Sequence, residues 1–558
     1  MRKKRILFCS EATFLNTGYA TYTREIMKYL HGTGKYHLAE LASYADPTDP
    51  RHSDIPWEFY PAAISPKDSP EVRKAYESRT DNQFGAFKFH DTCLDFKPDV
   101  VCDIRDFWMI EFESRSPYRD FFKWCIMPTV DAAPQAQNWI STFQSADACL
   151  TYSDWAGEVL KKQTGGKINW LGSAPPSAHP SYSVSLNQSE SRKELGLPEG
   201  AKIIGTVMRN QRRKLYPDLF KTFRMLLDNV EDPENYFLYC HTSFPDAGWD
   251  LTELMQEYKI ESKVFFTYKC NKTGKPFAAK FQGNVVGSPH TGEKTAMFPN
   301  VQSGLSYDNL AKVMSCFDLY IQYANSEGFG LPQVEAAAVG VPVASINYSA
   351  METVIKTLEG IPLEPIGFYK ELETGCMRAV PNNELAVKLL IDFFKKPSFE
   401  RKKIGFQTKQ NFLKYFQWDV SGKVWEKYFD SIDISEEKNT WLSAPDIKPV
   451  PPKPSDKDLM EMFKSDEFAI SRWLIESVLQ VPKYINSELH LRLAKDLHYG
   501  LVTATTAAGG YYVNDSSISM AGGNRKIPFS LEDAYNLMAN YRNEINVLEK
   551  KRMEAFGL

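Results

Sequence analysis

From residue 5 to residue 395 the chain alternates two patterns, short unbroken apolar blocks and longer stretches with apolar residues at helical spacing. The blocks 5–10, 98–104, 124–127 and 147–153 make one series; 202–208, 236–243, 263–268, 318–323 and 341–346 make a second. Apolar runs of this length between polar turns suit strands buried on both faces, and their alternation with helices implies parallel sheets. Two α/β domains are therefore expected, at residues 1–195 and 196–395. Residues 46–80, rich in Pro, Asp and Ser, interrupt the first series and read as an irregular excursion. Helical spacing returns over 396–432, with Trp418 and Trp425 among its apolar positions. Five prolines between 445 and 454 mark a linker over 433–458. Beyond it, 459–558 reads as a helical extension. Residues 459–479 and 488–499 carry helical spacing, 503–523 reads as a glycine-rich loop, and Ser530 is placed to cap a last helix ending at about Met553.

The sharpest pattern runs from Ser326 to Val343, SEGFGLPQVEAAAVGVPV. Gly328 and Gly330 make a tight turn after a strand. Pro332 sits early in the helix, where its missing N–H costs nothing, and alanines carry the helix on. Gly340 and Pro342 end it before the next strand. A glycine turn entering a helix leaves backbone N–H groups unpaired above the sheet edge, which suits an anion. Glu327 and Glu335 bracket those amides, so the unit suits a ligand carrying both hydroxyls and phosphates. Seven residues separate the two acids. In this setting of glycines, proline and alanines, the segment resembles the E-x7-E donor site of retaining GT-B glycosyltransferases, the group 1 or family 4-like type.

That resemblance implies two doubly wound, Rossmann-like domains facing a cleft, with crossover helices at 396–432 tying the second domain back to the first. It implies transfer of a sugar from a UDP- or GDP-linked donor to a hydroxyl acceptor, with retention of configuration. The nucleotide-sugar is then a co-substrate, and neither a separate cofactor nor a metal is called for. Glu327, with Gly328, Phe329 and Gly330, would hold sugar hydroxyls and phosphate. Leu331 and Pro332 open the helix beside them, and Glu335 would hold the ribose hydroxyls. On the loop 209–214, Arg209 and Lys214 resemble the family pair that clamps the donor diphosphate, while Arg212 and Arg213 are left to the surface. Two fixed cations would neutralise charge growing on the leaving group.

In the first domain, Asn16, Thr17 and Gly18 form a strand–glycine–helix turn resembling the family loop that closes over donor phosphate and acceptor. Many relatives carry a His at a strand end of this domain. This chain instead has Thr129-Val130-Asp131. Asp131 either accepts a hydrogen bond from a sugar hydroxyl or caps the following helix. Asp106 is the other contender on the acceptor side, and Asp103 and Arg105 also stand at a strand end. In relatives the loops after such strands hold the nucleobase, so the resemblance implies that His241, Thr242 and residues 267–269 would lie near it.

A chain of 558 residues and 63.7 kDa is large enough for two such domains and an extension. A net charge of −4 gives no electrostatic reason to expect non-specific binding to nucleic acid or anionic membrane. No apolar run is long enough to span a bilayer, and the one after Met1-Arg-Lys-Lys-Arg is too short for a signal peptide. Nine cysteines, odd in number and mostly in expected strands, read as reduced core residues of a cytoplasmic protein. Within 270–300, Cys270, His290 and Glu293 outline two turns of an inserted hairpin but make an incomplete zinc set. The acceptor stays open among a glycan, a protein and a small molecule. A hydroxymethylated DNA base, extruded from the duplex, is an alternative. The missing His motivates a different class, a non-catalytic nucleotide-sugar-binding scaffold.

Overall fold

The computed structural model describes residues 2–300, 303–434, 440–443, 447–455, 457–458, 461, 469–480 and 531–557. Seven parallel strands form a first sheet: β1 (Lys4–Glu11), β2 (Tyr36–Ser43), β3 (Glu58–Pro61), β4 (Val100–Asp103), β5 (Lys123–Ile126), β6 (Ala148–Thr151) and β7 (Trp170–Ser173). Their order is β3-β2-β1-β4-β5-β6-β7, which reverses beside β1 and opens a crevice at the loops after β1 and β4. β1 shows why the apolar block is continuous. Ile6 and Phe8 pack into one core cluster and Leu7 and Cys9 into another, so both faces are covered. The excursion at 46–80 is less irregular than expected. It contains the edge strand β3 and a helix, Pro70–Glu77. β3 is short and ends on Pro61, which an edge strand tolerates because one side needs no donor.

The second sheet comprises β8 (Lys202–Val207), β9 (Tyr236–His241), β10 (Val264–Cys270), β11 (Pro276–Ala279), β12 (Val285–Val286), β13 (Ala296–Met297), β14 (Leu319–Gln322), β15 (Val343–Ile346) and β16 (Ile361–Leu363). β10-β9-β8-β14-β15-β16 run parallel, while β11, β12 and β13 are antiparallel additions at the β10 edge. The insertion is thus a small antiparallel extension. Its three candidate zinc ligands find other partners: Cys270 Sγ lies 3.8 Å from Thr295 Oγ1, His290 Nε2 lies 3.2 Å from the Pro276 carbonyl, and Glu293 pairs with Lys272. A separate hairpin, β17 (Gly367–Lys370) and β18 (Met377–Val380), follows β16.

The helices Ser398–Tyr415 and Trp418–Ser431 carry the chain back to the first domain. The second lies across the helix Gly18–Thr33. Trp425, fully buried, donates from Nε1 to Tyr22 Oη at 3.1 Å, and the Tyr29 hydroxyl donates to Glu426 at 2.7 Å. In the extension, the helix Leu531–Phe556 runs slightly beyond the expected end at Met553 and docks on the first domain, where the Tyr118 hydroxyl donates to the Leu548 carbonyl at 2.7 Å. Arg552 is buried there, paired with Glu549 at 2.8 Å and donating to the Trp441 carbonyl at 2.9 Å. Ser530 and the segments 488–499 and 503–523 lie outside the described residues.

The crossover depends on one missing side chain. A Cβ at Gly422 would fall 2.4 Å from the Tyr29 ring. Gly422→Val is therefore expected to cost about 1–3 kcal/mol by forcing the two helices apart. A denaturation midpoint unchanged from wild type would contradict this close crossing.

Candidate active site

The site grows from the carboxyl ends of β8 and β14, neighbours at the centre of the second sheet. The loops after them are stitched together: the Leu215 amide donates to the Tyr323 carbonyl at 3.0 Å and the Asn325 amide to the Arg213 carbonyl at 3.0 Å. That pairing fixes Arg213 and Lys214 over Glu327, on the loop after β14. The Lys214 ammonium contacts Glu327 Oε1, Arg213 Nη1 donates to Oε2 at 2.6 Å, and Gln322 Nε2 donates to Oε1 at 2.8 Å. Glu327 is 5% exposed. Burial, and then the Arg213 guanidinium, push the Lys214 pKa well down. The Glu327 carboxylate in direct contact is the counter-charge that opposes this and holds the lysine as an ammonium. Two cations on one carboxylate leave one positive charge over for a ligand.

Arg213 therefore stands where Arg209 was expected. Arg209 instead grips Asp246, on the loop after β9, through Nε at 2.7 Å and Nη2 at 2.9 Å, and is about half exposed. The loop pairing explains the exchange. It carries 213 and 214 to the neighbouring strand end and leaves 209 beside the β9 loop. Arg212 is not engaged in this cluster.

The turn before the helix Leu331–Ala338 is held by an unusual residue. The Glu327 amide donates to Ser349 Oγ at 2.9 Å, and Ser349 has φ 57° and ψ −151°, a conformation that strains any side-chain-bearing residue. Gly330, at φ 85°, caps the helix in the left-handed region. Among the described residues the N–H groups of Gly328 and Phe329 have no hydrogen-bond partner. The Phe329 ring packs against Phe416, with centroids 6.0 Å apart, so only its amide is left for a ligand. Pro332 is at the helix start, as its fixed φ favours.

Glu335 projects from that helix into a cavity of about 170 Å³ whose opposite wall is Asn16, Thr17 and Gly18. The loop after β1 and the second acid are thus brought face to face, with Leu331 beside them. Thr17 caps its own helix, its Oγ1 accepting from the Ala20 amide at 3.3 Å, and donates to Glu11. Gly18 leaves open space where a Cβ would be. Glu335 makes no ion pair with a described residue. Burial pushes its carboxyl up to about 7, with the Tyr182 hydroxyl opposing. A stacked pair, His179 on Tyr307 with centroids 4.1 Å apart, also lines this cavity; nothing in their sequence surroundings marks them. A larger cavity of about 540 Å³, among Arg2, Lys3, Arg5 and Lys97, lies at the amino end of β1 and shares no residue with this one.

Across the cleft, Thr129 reaches the loop after β14: a Cβ on Gly328 would lie 2.5 Å from its Cγ2. The Tyr19 hydroxyl bonds Thr129 Oγ1 at 2.9 Å. Asp106 stands beside both, and burial raises its carboxyl to about 6 while hydrogen bonds from Tyr19 and Thr129 oppose. Asp131 does not cap the following helix, Gln137–Gln144, whose cap position is Ala136. It pairs instead with Arg378 at 2.8 Å. Asp131 and Asp106 both act on the Arg213 charge from the opposite domain. Asp103 and Arg105 are not in the cleft. Both are fully buried and bonded to each other, with Arg105 also donating to Ser43 Oγ and the Phe84 carbonyl, each at 2.7 Å. A strand-end position was enough to nominate them; their side chains turn inward. His241 Nδ1 lies 3.0 Å from Thr267 Oγ1, and burial draws its pKa down to about 4, so it is neutral near pH 7.

Residues 300–409 match the family model described as Glycosyl transferases group 1. No curated protein matches the chain in sequence. Similar solved structures include sucrose-phosphate synthase from Thermosynechococcus elongatus, at 15% identity and TM-score 0.55, covering 77% of this chain and 100% of that one. A glycosyltransferase from Rickettsia africae ESF-5 superposes at 13% identity and TM-score 0.54, covering 77% and 98%. Anabaena HepE, in complex with UDP and glucose, does so at 12% identity and TM-score 0.53, covering 77% and 100%. The likeness to these structures gives the chain a GT-B fold, and its segment 300–409 is similar to the glycosyl transferases group 1 family.

Proposed function

We propose that this protein transfers a sugar from a nucleoside diphosphate sugar to a hydroxyl acceptor, with retention of configuration. The observation that carries this reading is the convergence of Lys214 and Arg213 on Glu327, next to the unpaired amides of Gly328 and Phe329. The net positive charge and the amides suit a departing diphosphate, whose negative charge grows as the glycosidic bond breaks. Glu335, uncompensated and facing the Asn16–Gly18 loop, suits the hydroxyls of a ribose. Asp106, Tyr19 and Thr129 form the wall on which the sugar or acceptor hydroxyls would rest.

The fixed cations supply the electrostatic work at the leaving group, so this reading asks for no further cofactor. The leaving phosphate oxygen would take the acceptor proton on the same face from which it departs, which gives retention without a dedicated protein base. Closing the two domains keeps out water, the competing acceptor. The fold relatives with printed donors or products point to sugar chemistry: HepE binds UDP and glucose, and the Thermosynechococcus protein is a sucrose-phosphate synthase. The acceptor is proposed at the level of a glycan, a protein or a small molecule.

A panel of UDP- and GDP-sugars, read as nucleoside diphosphate released with and without candidate acceptors, tests the proposal. One donor should be turned over, and Lys214→Ala should lower kcat by about 10²–10³, as loss of a group that stabilises the leaving charge does. Acceptors in the panel should include DNA carrying hydroxymethylated bases. No turnover and no binding of any donor would sink the reading, whereas binding without turnover under every acceptor would point to a scaffold.

Glu335 adds a pH signature. Its folded pKa, raised to about 7, stands above the ordinary carboxylate value, so its neutral form supports the fold at low pH. That contribution is full below the unfolded value of about 4.5 and is lost as pH rises through about 7. Nucleotide-sugar affinity should move the other way, because ribose hydroxyls donate to the ionised acid. A rise of about tenfold is expected between pH 6 and pH 8, flat in Glu335→Gln. Equal pH profiles for the two proteins would remove Glu335 from the binding site.

A further inference from the structure

Hairpin β17–β18 belongs to the second domain by sequence but reaches the first. The Met377 amide donates to the Ala133 carbonyl at 2.8 Å, forming an antiparallel bridge, and the Tyr348 hydroxyl donates to the Met377 carbonyl at 2.7 Å. From β18, Arg378 turns inward and is 7% exposed. Its Nη1 donates to Asp131 Oδ2 of the first domain at 2.8 Å and also to Ser326 Oγ, and its Nη2 donates to Glu371 Oε2 at 2.7 Å. Ser326 immediately precedes Glu327. One planar guanidinium thus holds the acceptor side, the donor loop and its own hairpin together, a geometry that a lysine's single ammonium does not reproduce.

We propose that Arg378 is a positioning residue: it ties Asp131 to the donor loop at Ser326, so that the loop is held in its working shape only while hairpin β17–β18 straps the two domains together. The proposal rests on the glycosyltransferase reading. Three features support it. First, of the three partners only Asp131 lies in the first domain, so opening the cleft breaks one ion pair and leaves Arg378 still neutralised by Glu371. Second, Asp131 is about one-third exposed, which makes that pair weak enough to break and re-form. Third, the link ends next to Glu327, whose two oxygens already hold Arg213 and Lys214. A shift of Ser326 would disturb the cations that face the leaving group. A cleft that opens during turnover would admit water, so the strap sets the balance between transfer and donor hydrolysis.

The test uses full-length protein with Arg378→Gln, Arg378→Lys, Asp131→Asn and the Arg378→Gln/Asp131→Asn double variant. Small-angle scattering without nucleotide should show a larger radius of gyration for Arg378→Gln and Asp131→Asn, with the double variant no larger. Arg378→Lys should recover compactness in part. With the donor found above, Arg378→Gln should lower kcat for transfer by about tenfold or more, change the donor KM by less than about threefold, and raise the share of donor lost to water. Single effects that add fully in the double variant would overturn the proposal, because uncoupled residues add. So would an unchanged hydrolysis-to-transfer ratio accompanied only by a lower Tm. If wild type turns over no donor, the activity reading fails, and scattering alone decides whether the strap exists.

Discussion

A lysine cannot stay charged in the interior without a counter-charge, and this constraint shapes the centre of the molecule. Lys214 is almost completely buried on the loop after β8, and Glu327 is the carboxylate that neutralises it. Such buried pairs contribute little to stability, since the desolvation of both partners offsets their attraction. What this arrangement secures is position. It requires the loops after β8 and β14 to run side by side, which the parallel sheet provides. It also brings Arg213 to the other oxygen of the same acid, so that two cations converge on one carboxylate, with Asp131 and Asp106 facing Arg213 from the first domain.

The rest of the cleft is assembled from distant parts of the chain around that cluster. The first domain contributes the loop after β1 opposite Glu335, and Thr129 pressed against Gly328. The crossover helices hold the domains in register, with Trp425 and Tyr22 meeting in the first domain's core. The Phe329 ring, packed on Phe416, makes the loop after β14 itself part of the core shared with the crossover helices. Three points of close approach rely on a small or strained residue: Gly422 under Tyr29, Gly328 under Thr129, and Ser349 behind Glu327. Strain tolerated at Ser349 is what over-determined surroundings permit, and here it supports the amide of the acid on which the cations converge.

Legibility differed between backbone and side chains. The parallel α/β character, the helix Leu331–Ala338 with its proline and left-handed glycine, and the loop–helix unit at Gly18 were readable because each follows from local pattern. The choice of Arg209 over Arg213 was not readable, since both lie on one loop and only the pairing with Asn325 and Tyr323 decides which faces the neighbouring strand. Arg105 and Asp103 looked like cleft residues from their place after an apolar block, yet they close on each other in the core. Arg378 carried no local signal at all, because its three partners lie 247, 52 and 7 residues away.

By itself, then, the sequence determined which segments are strands and helices, where the glycine turn meets the helix, and which two acids bracket it. Those are consequences of periodicity and of backbone preferences acting over a few residues. Tertiary structure alone decided which cations meet Glu327, that Asp131 serves an interdomain ion pair and not a helix cap, and that Glu335 looks onto the loop after β1. Side-chain partnerships of this kind depend on how strand ends and domains are juxtaposed, and at Lys214 burial then makes the choice of partner binding, because a charge left unpaired there would cost too much.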